Sequence, residues 1–188
     1  MPTKEEMYPT EPDFRYDFGF LERTMEGVHR PGHFKGVGMI VQKLFEIVKP
    51  EISYFGEKDF QQLTIIKELV RLMNSNIKVI GCPTLREPSG LAMSSRNKLL
   101  SPEQRKIAEI ISQTLFWAQS VWHSLTPAEI THHAIQKINY NPAIRCEYFE
   151  IAETETLRPV TEWTPGISAR AFIAAKIGNV RLIDNMEV

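Results

Sequence analysis

What this sequence lacks narrows it first. It has two cysteines in 188 residues, Cys82 and Cys146, far apart and with neither a CxxC partner nor a nearby His pair. That excludes a disulfide framework and a cysteine zinc site. Both are expected as reduced, half-buried thiols of a cytoplasmic protein. No run approaches the ~18 apolar residues of a membrane span, and Met1 leads into the polar Pro2-Thr3-Lys4-Glu5-Glu6, with no signal-peptide apolar region. Neither sign of charge is in excess: 22 Lys and Arg against 23 Asp and Glu leave a formal net charge of −1. No global field therefore draws the chain to nucleic acid or to an anionic membrane, and any anion site must be local. Internal repeats, low-complexity tracts, a Gly-x-Ser-x-Gly elbow and a Walker phosphate loop are missing too. What is there is 43% hydrophobic residues, enough for one good core or two small ones in a globular protein.

Apolar residues at helical spacing (Val37, Ile40, Val41, Leu44, Phe45, Val48) predict a helix over 36–49, closed by Lys49-Pro50. Ile52-Ser53-Tyr54-Phe55-Gly56 predicts a strand. Asp59 or a neighbour then opens a helix to about residue 73, and Lys78-Val79-Ile80-Gly81-Cys82 predicts a second strand stopped by Pro83. Helix, strand, helix, strand at this spacing is half of a doubly wound α/β unit with a parallel sheet. Ahead of it, the aperiodic residues 1–25, rich in Pro, acids and aromatics, predict extended chain with one short strand.

The stretch 84–97 has little periodicity and places a domain boundary near residue 86. Ser101-Pro102-Glu103 and Thr126-Pro127-Ala128-Glu129 each supply an N-cap, a Pro at the first helical position and an acid in the first turn. They predict helices to about residues 123 and 138. Strand patterns over 145–152, 168–177 and 180–184 complete an α+β second half. Phe116, Trp117 and Trp122 are expected in its core, and His123, His132 and His133, without acidic or Cys partners at ligand spacing, on its surface.

Three constellations could carry chemistry. Gly56-Glu57-Lys58-Asp59-Phe60-Gln61-Gln62 lies between a strand and the helix after it, where a ligand meets the mouth of a parallel sheet and a positive helix N-terminus. Gly56 would admit an anion to the backbone, Lys58 could pair with phosphate, and Asp59 and Gln62 could position hydroxyl or carboxylate groups. The alternative is a capped surface helix with solvated charges. Gly90-Leu91-Ala92-Met93-Ser94-Ser95-Arg96-Asn97 suits a mobile loop that wraps phosphate oxygens, or a solvated linker. Glu26-Gly27-Val28-His29-Arg30-Pro31-Gly32-His33-Phe34-Lys35-Gly36 places two His four apart, but Pro31 and Gly32 break the helix that would align them on a metal. A hinged cationic lid over an anionic substrate fits this segment better. No metal ligands are assigned.

These three blocks, in this order, together with the tail Arg181-Leu182-Ile183-Asp184-Asn185, resemble the pantothenate synthetases (pantoate–β-alanine ligases) of the HIGH/KMSKS nucleotidyltransferase superfamily. The resemblance runs from Pro2 to Val188. It implies a partial Rossmann-like parallel sheet, residues 1–86, followed by a smaller α+β C-terminal domain, residues 87–188, that carries the KMSKS-like loop. It implies a cytoplasmic enzyme that uses ATP and Mg²⁺ to convert pantoate to pantoyl adenylate and then joins β-alanine to it, releasing AMP. Small molecules are its partners, with neither nucleic acid nor membrane, and the full-length enzyme is expected to be a homodimer.

By the same resemblance Gly56, Glu57, Lys58, Asp59, Leu85, Met93, Ser94, Ser95 and Arg96 contact ATP. Lys58, Ser94, Ser95 and Arg96 serve catalysis, Gln62 binds pantoate, and Arg30 and His33 belong to a gating loop. The family's Pro-Thr-Met-Gly-x-Leu-His-x-Gly-His segment does not occur in these residues. About a hundred residues of the family's first domain are expected upstream of Met1, and the chain by itself is expected to show no measurable ligase activity. Two other readings are another nucleotidyltransferase of the superfamily and a non-catalytic binding fragment.

Overall fold

Local signals at the helix starts carry through to the structure, a computed structural model that describes residues 3–9 and 14–188. Its helices are α1 (Lys4–Met7), α2 (Glu26–His29), α3 (His33–Val48), α4 (Phe60–Leu72), α5 (Pro102–Val121) and α6 (Pro127–Asn139). Its strands are β1 (Ile52–Gly56), β2 (Lys78–Cys82), β3 (Ile144–Glu153), β4 (Ala169–Ile177) and β5 (Val180–Glu187). Ser101 Oγ accepts from the Gln104 N–H while Gln104 returns a bond to Ser101, and Thr126 and Glu129 do the same for α6. Each capping box satisfies two orphan donors, which is why both helices begin where the sequence places them.

The chain divides into two units, Met1–Tyr54 with Gln62–Ile80, and Phe55–Gln61 with Gly81–Val188. The low periodicity of 84–97 suggests a boundary near residue 86; in the structure the second unit takes in the chain from Gly81 onward together with residues 55–61. The reason is packing within that unit, where the Phe60 ring lies 6.1 Å from Phe172 and 4.1 Å from the Arg170 guanidinium.

In the first unit the described residues near the N-terminus form no strand but short helical turns, at α1, Gly19–Glu22 and α2, joined by irregular chain over 14–18; residues 10–13 of that expected stretch lie outside the described residues. Phe14, Phe18 and Met25 are buried, so the aromatics that broke the periodicity serve a core. Gly38 on α3 admits the Phe14 and Phe18 rings, which a Cβ would meet at 2.6 and 2.8 Å. Helix α3 buries Phe34, Gly38, Val41 and Phe45. Ile40, Leu44, Ile47 and Val48, spaced four, three and one apart, stay exposed on another side. Strands β1 and β2 pair as neighbours in a two-stranded parallel sheet with α4 as the crossover.

In the second unit β3, β4 and β5 form an antiparallel meander. The β4–β5 turn rests on Gly178 (φ +55°), the first position of a two-residue hairpin loop, where a left-handed residue matches the strand twist. Strand β4 is buried along almost its whole length. Ala171, Ile173, Ala175 and Ile177 join Ile111 and Leu115 of α5 and Ile130, Ala134 and Ile138 of α6 in one core. Arg170 and Phe172, by strand alternation, lie on the opposite face. Phe116 and Trp122, expected inside, are exposed, because the stripe that α5 buries runs through Ala108, Ile111, Leu115 and Ala118. His123, His132 and His133 are exposed as expected.

Both cysteines are free and half-buried. On β3, burial together with the neighbouring Glu147 carboxylate pushes the Cys146 thiol up to about 11. Alkylation of Cys146 by iodoacetamide at mildly alkaline pH should run on the order of 100-fold slower than that of a free cysteine of pKa ~8.5. A mass-spectrometric time course reads this, and a rate equal to that of free cysteine would refute it. No helix among the described residues is long and apolar enough to cross a membrane.

Candidate functional site

Strand β1 ends at Gly56 in extended backbone (φ −70°, ψ 131°), and a single 3-10 turn, Glu57–Asp59, leads into α4. No protein atom lies within 4 Å of where a Gly56 side chain would start, so this corner is sterically open. Lys58, its side chain 19% exposed, has its ammonium 3.6 Å from the exposed Asp59 carboxylate. The backbone of the turn is held from behind. Asn185 Nδ2 donates to the carbonyls of Glu57 and Lys58 at 2.9 and 2.8 Å. Asn185, 3% exposed, accepts in turn from Arg170 Nη1 at 2.7 Å. Burial pushes the Arg170 guanidinium down from its ordinary pKa, against the carboxylates of Glu57 and Glu187.

The stretch expected as an irregular loop is a small hairpin. The Met93 N–H donates to the Leu85 carbonyl and the Glu87 N–H to the Leu91 carbonyl, both at 2.8 Å. A turn with Pro88 at its second position closes it, through the Gly90 N–H to the Glu87 carbonyl at 2.8 Å. Gly90 has φ +89°, and a Cβ there would meet Phe116 and Ser112 Oγ at 3.2 Å, so the position favours glycine on two counts. Leu85 and Met93, opposite each other, are 72% and 53% exposed. Beyond the hairpin Ser94 Oγ accepts from the Arg96 N–H at 3.2 Å and caps the 3-10 helix Ser95–Leu99. A hydroxyl used as an acceptor keeps its own O–H to donate. Ser95 and Arg96 are exposed, with Arg96 Nη1 on the Arg181 carbonyl at 3.3 Å.

Two buried side chains tie this hairpin down. Asn97 donates to Glu87 Oε1 at 2.8 Å and to the Ala92 carbonyl at 3.0 Å. The Arg105 guanidinium, 2.7 Å from Glu87, and then Asn97 hold the Glu87 carboxyl below its ordinary pKa. Asp184, 3% exposed, takes Arg86 in a bidentate pair at 2.6 and 3.1 Å. Arg86 also donates to the carbonyls of Gly90 and Asn185 and lies over the Phe116 ring. Burial raises the Asp184 carboxyl, against the bonds from Arg86 and the charge of Lys58.

The second unit thus brings together Gly56, Glu57, Lys58, Asp59, Leu85, Met93, Ser94, Ser95 and Arg96. Gln62, Arg30 and His33 belong to the first unit. There Gln62 lies half-buried in the first turn of α4. Arg30 pairs with the buried Glu26 carboxylate at 3.8 Å, and His33 opens α3 after Gly32 (φ +77°). His29 ends one helix and His33 begins the next, as Pro31 and Gly32 require. Among the described residues no three His, Cys, Asp or Glu could hold a metal ion together. Sequence reasoning gave no role to Arg86, Arg170, Asp184 or Asn185. The signal available was the adjacent Asp184-Asn185 within the strand pattern that ends the chain.

The pantoate-beta-alanine ligase family is matched over residues 1–187. The chain is 49% identical to the pantothenate synthetase of Azobacteroides pseudotrichonymphae, over 98% of this chain and 66% of that protein. It is 48% identical to the one from Bacteroides thetaiotaomicron, over 99% and 66%. Among solved structures, the pantothenate synthetase from Thermus thermophilus superposes with a TM-score of 0.89 at 40% identity, over 99% of this chain and 67% of that one. The pantoate-beta-alanine ligase from Francisella tularensis, complexed with beta-gamma ATP and beta-alanine, gives a TM-score of 0.73 at 36% identity, over 97% and 61%. The chain spans 66% of the length of these curated relatives.

Proposed function

Because the chain belongs to the pantoate-beta-alanine ligase family, we propose that its second unit carries the ATP-facing loops of a ligase that condenses pantoate with β-alanine. In the first step a pantoate carboxylate oxygen attacks the α-phosphorus of ATP; a P–O bond forms and pyrophosphate leaves. In the second the β-alanine amine attacks the adenylate's carbonyl carbon; a C–N bond forms, the bond to AMP breaks, and the amine gives up a proton. Negative charge on phosphate oxygens grows in the first step, and a preorganised cation or hydroxyl aimed at it lowers the barrier.

Lys58 supplies the cation, Ser94 and Ser95 the hydroxyl donors, and Arg96 a second charge at the rim. Leu85 and Met93, exposed side by side, offer an apolar surface for the adenine, and the open corner at Gly56 lets phosphate approach the backbone. Gln62 binds pantoate, and Arg30 and His33 gate the site. Mg²⁺ typically binds nucleotide sites through phosphates and waters with one or two carboxylates. It would accordingly enter with ATP. Residues 1–86 and 87–188 as nucleotide-binding half and C-terminal domain, a cytoplasmic location and a homodimer complete the proposal on the strength of the family alone.

The observation that carries this reading is that adjacent residues of β5 hold both segments: Asn185 donates to the carbonyls of Glu57 and Lys58, and Asp184 pairs with Arg86 of the hairpin. Calorimetric titration of the chain with ATP and Mg²⁺ tests it. Saturable binding at one site per chain is expected, and the absence of any heat of binding at millimolar ATP would overturn it.

A further inference from the structure

Asp184 and Asn185 are consecutive on β5, and strand alternation sends their side chains to opposite faces of the sheet. On the helix-packed face, Asp184 holds Arg86 and, through it, the hairpin that leads to residues 93–96. On the other face, Asn185 holds the turn that carries Lys58 and Asp59. One dipeptide therefore anchors both loops assigned to ATP, and its Asn end does so through the carbonyls of two successive residues.

We propose that Asn185 is a positioning residue for nucleotide binding: it fixes the Glu57–Asp59 turn so that Lys58 is launched toward the phosphates. This rests on the ATP reading of that turn. A buried side-chain amide is costly unless satisfied, and Asn185 is satisfied in a directional way. Its acceptor takes the Arg170 Nη1–H, which leaves its two N–H groups to face Glu57 and Lys58 and sets the amide's orientation. Arg170 is itself oriented by stacking on Phe60, the residue that begins α4 just after the turn. The Asn185 N–H also donates to Asp184 Oδ1 at 2.8 Å, so the backbone of the anchor is fixed as well. With both peptides of the turn trans, a carbonyl held toward β5 sends the N–H of the same peptide the other way. The Lys58 N–H is thereby directed to the side away from Asn185. Loss of this anchor leaves Lys58 in place chemically but lets its Cα wander, and small misplacement of a charged group costs much of its effect on a bound anion.

Asn185→Asp separates position from packing, because the carboxylate keeps the acceptor for Arg170 and removes both donors. In the ¹⁵N-labelled chain without nucleotide, the amide resonances of Glu57, Lys58 and Asp59 should shift while those of α5, α6 and β3 keep their places. Affinity for ATP with Mg²⁺ should fall about tenfold or more. An unmoved turn, or a moved turn with unchanged affinity, overturns the proposal. If the unsubstituted chain shows no response to ATP at residues 56–59, the ATP reading fails, and the nucleotide-free spectra still decide whether Asn185 sets the turn. Should Asn185→Asp not fold, the unsubstituted chain decides instead. The Asn185 side-chain N–H protons should then be slow to exchange with solvent, and fast exchange at the rate of an exposed amide overturns the anchor.

Discussion

Replacing Arg86 with alanine should destabilise the folded chain by about 3–5 kcal/mol, the usual cost of leaving a buried charge without its partner. Asp184 would keep its place, buried on β5, with the two bonds from Arg86 gone. The carbonyls of Gly90 and Asn185 would lose a donor at the same time. The deficit has a definite pH dependence. Burial already raises the Asp184 carboxyl against the pull of Arg86, and removing that pull raises it further. A carboxyl whose folded pKa lies above its unfolded value is protonated preferentially in the folded state, so stability falls as pH rises through that range. The Arg86→Ala deficit should be largest above the variant's folded Asp184 pKa and shrink as pH falls through it, because a neutral carboxyl no longer needs its partner. Urea denaturation at several pH values reads both features. The double variant Arg86→Met, Asp184→Leu should recover most of the loss, since the uncompensated charge is gone. A loss under about 1 kcal/mol for Arg86→Ala, or a deficit that grows on acidification, would contradict the pairing.

Lys58→Ala should weaken ATP binding in the presence of Mg²⁺ about 10- to 100-fold, the range expected for losing one charge-assisted hydrogen bond. The same change should scarcely alter stability, because its ion partner Asp59 is half exposed and such pairs contribute roughly 0–1 kcal/mol. Lys58→Arg should restore only part of the affinity, since the flat guanidinium fork does not reproduce a compact ammonium. Calorimetric titration alongside thermal unfolding separates the two quantities. Equal affinity in Lys58→Ala and the unsubstituted chain would remove Lys58 from the phosphate site.

The contrast between these two residues shows what could be read from the sequence. Lys58 sits between a strand and a helix, in a segment whose local pattern announces it, and both capping boxes and the strand Lys78–Cys82 follow from neighbouring residues alone. The α/β unit followed by an antiparallel sheet was legible for the same reason. Arg86 and Asp184 are 98 residues apart, and Asn185 reaches carbonyls 127 and 128 residues away. Nothing local marks such a pairing, and a polar dipeptide near a chain end reads as exposed. Phe116 and Trp122 went astray differently: hydrophobicity suggested a core, while the helix phase set by Ala108, Ile111, Leu115 and Ala118 turned Phe116 outward, under Arg86. Near the N-terminus, Phe14 and Phe18 pack against Gly38 on α3, a contact with no periodic trace in the sequence.

The central claim is that the Glu57–Asp59 turn and residues 93–96, anchored from one strand, form the ATP-facing surface of this chain. Backbone amide shifts of the ¹⁵N-labelled chain, followed as ATP and Mg²⁺ are added, test it most directly. The account predicts concerted, saturable shifts at Gly56, Glu57, Lys58 and Asp59 and at Met93, Ser94, Ser95 and Arg96, with smaller ones at Leu85. Shifts confined to residues outside these segments, or none at saturating nucleotide, would contradict it.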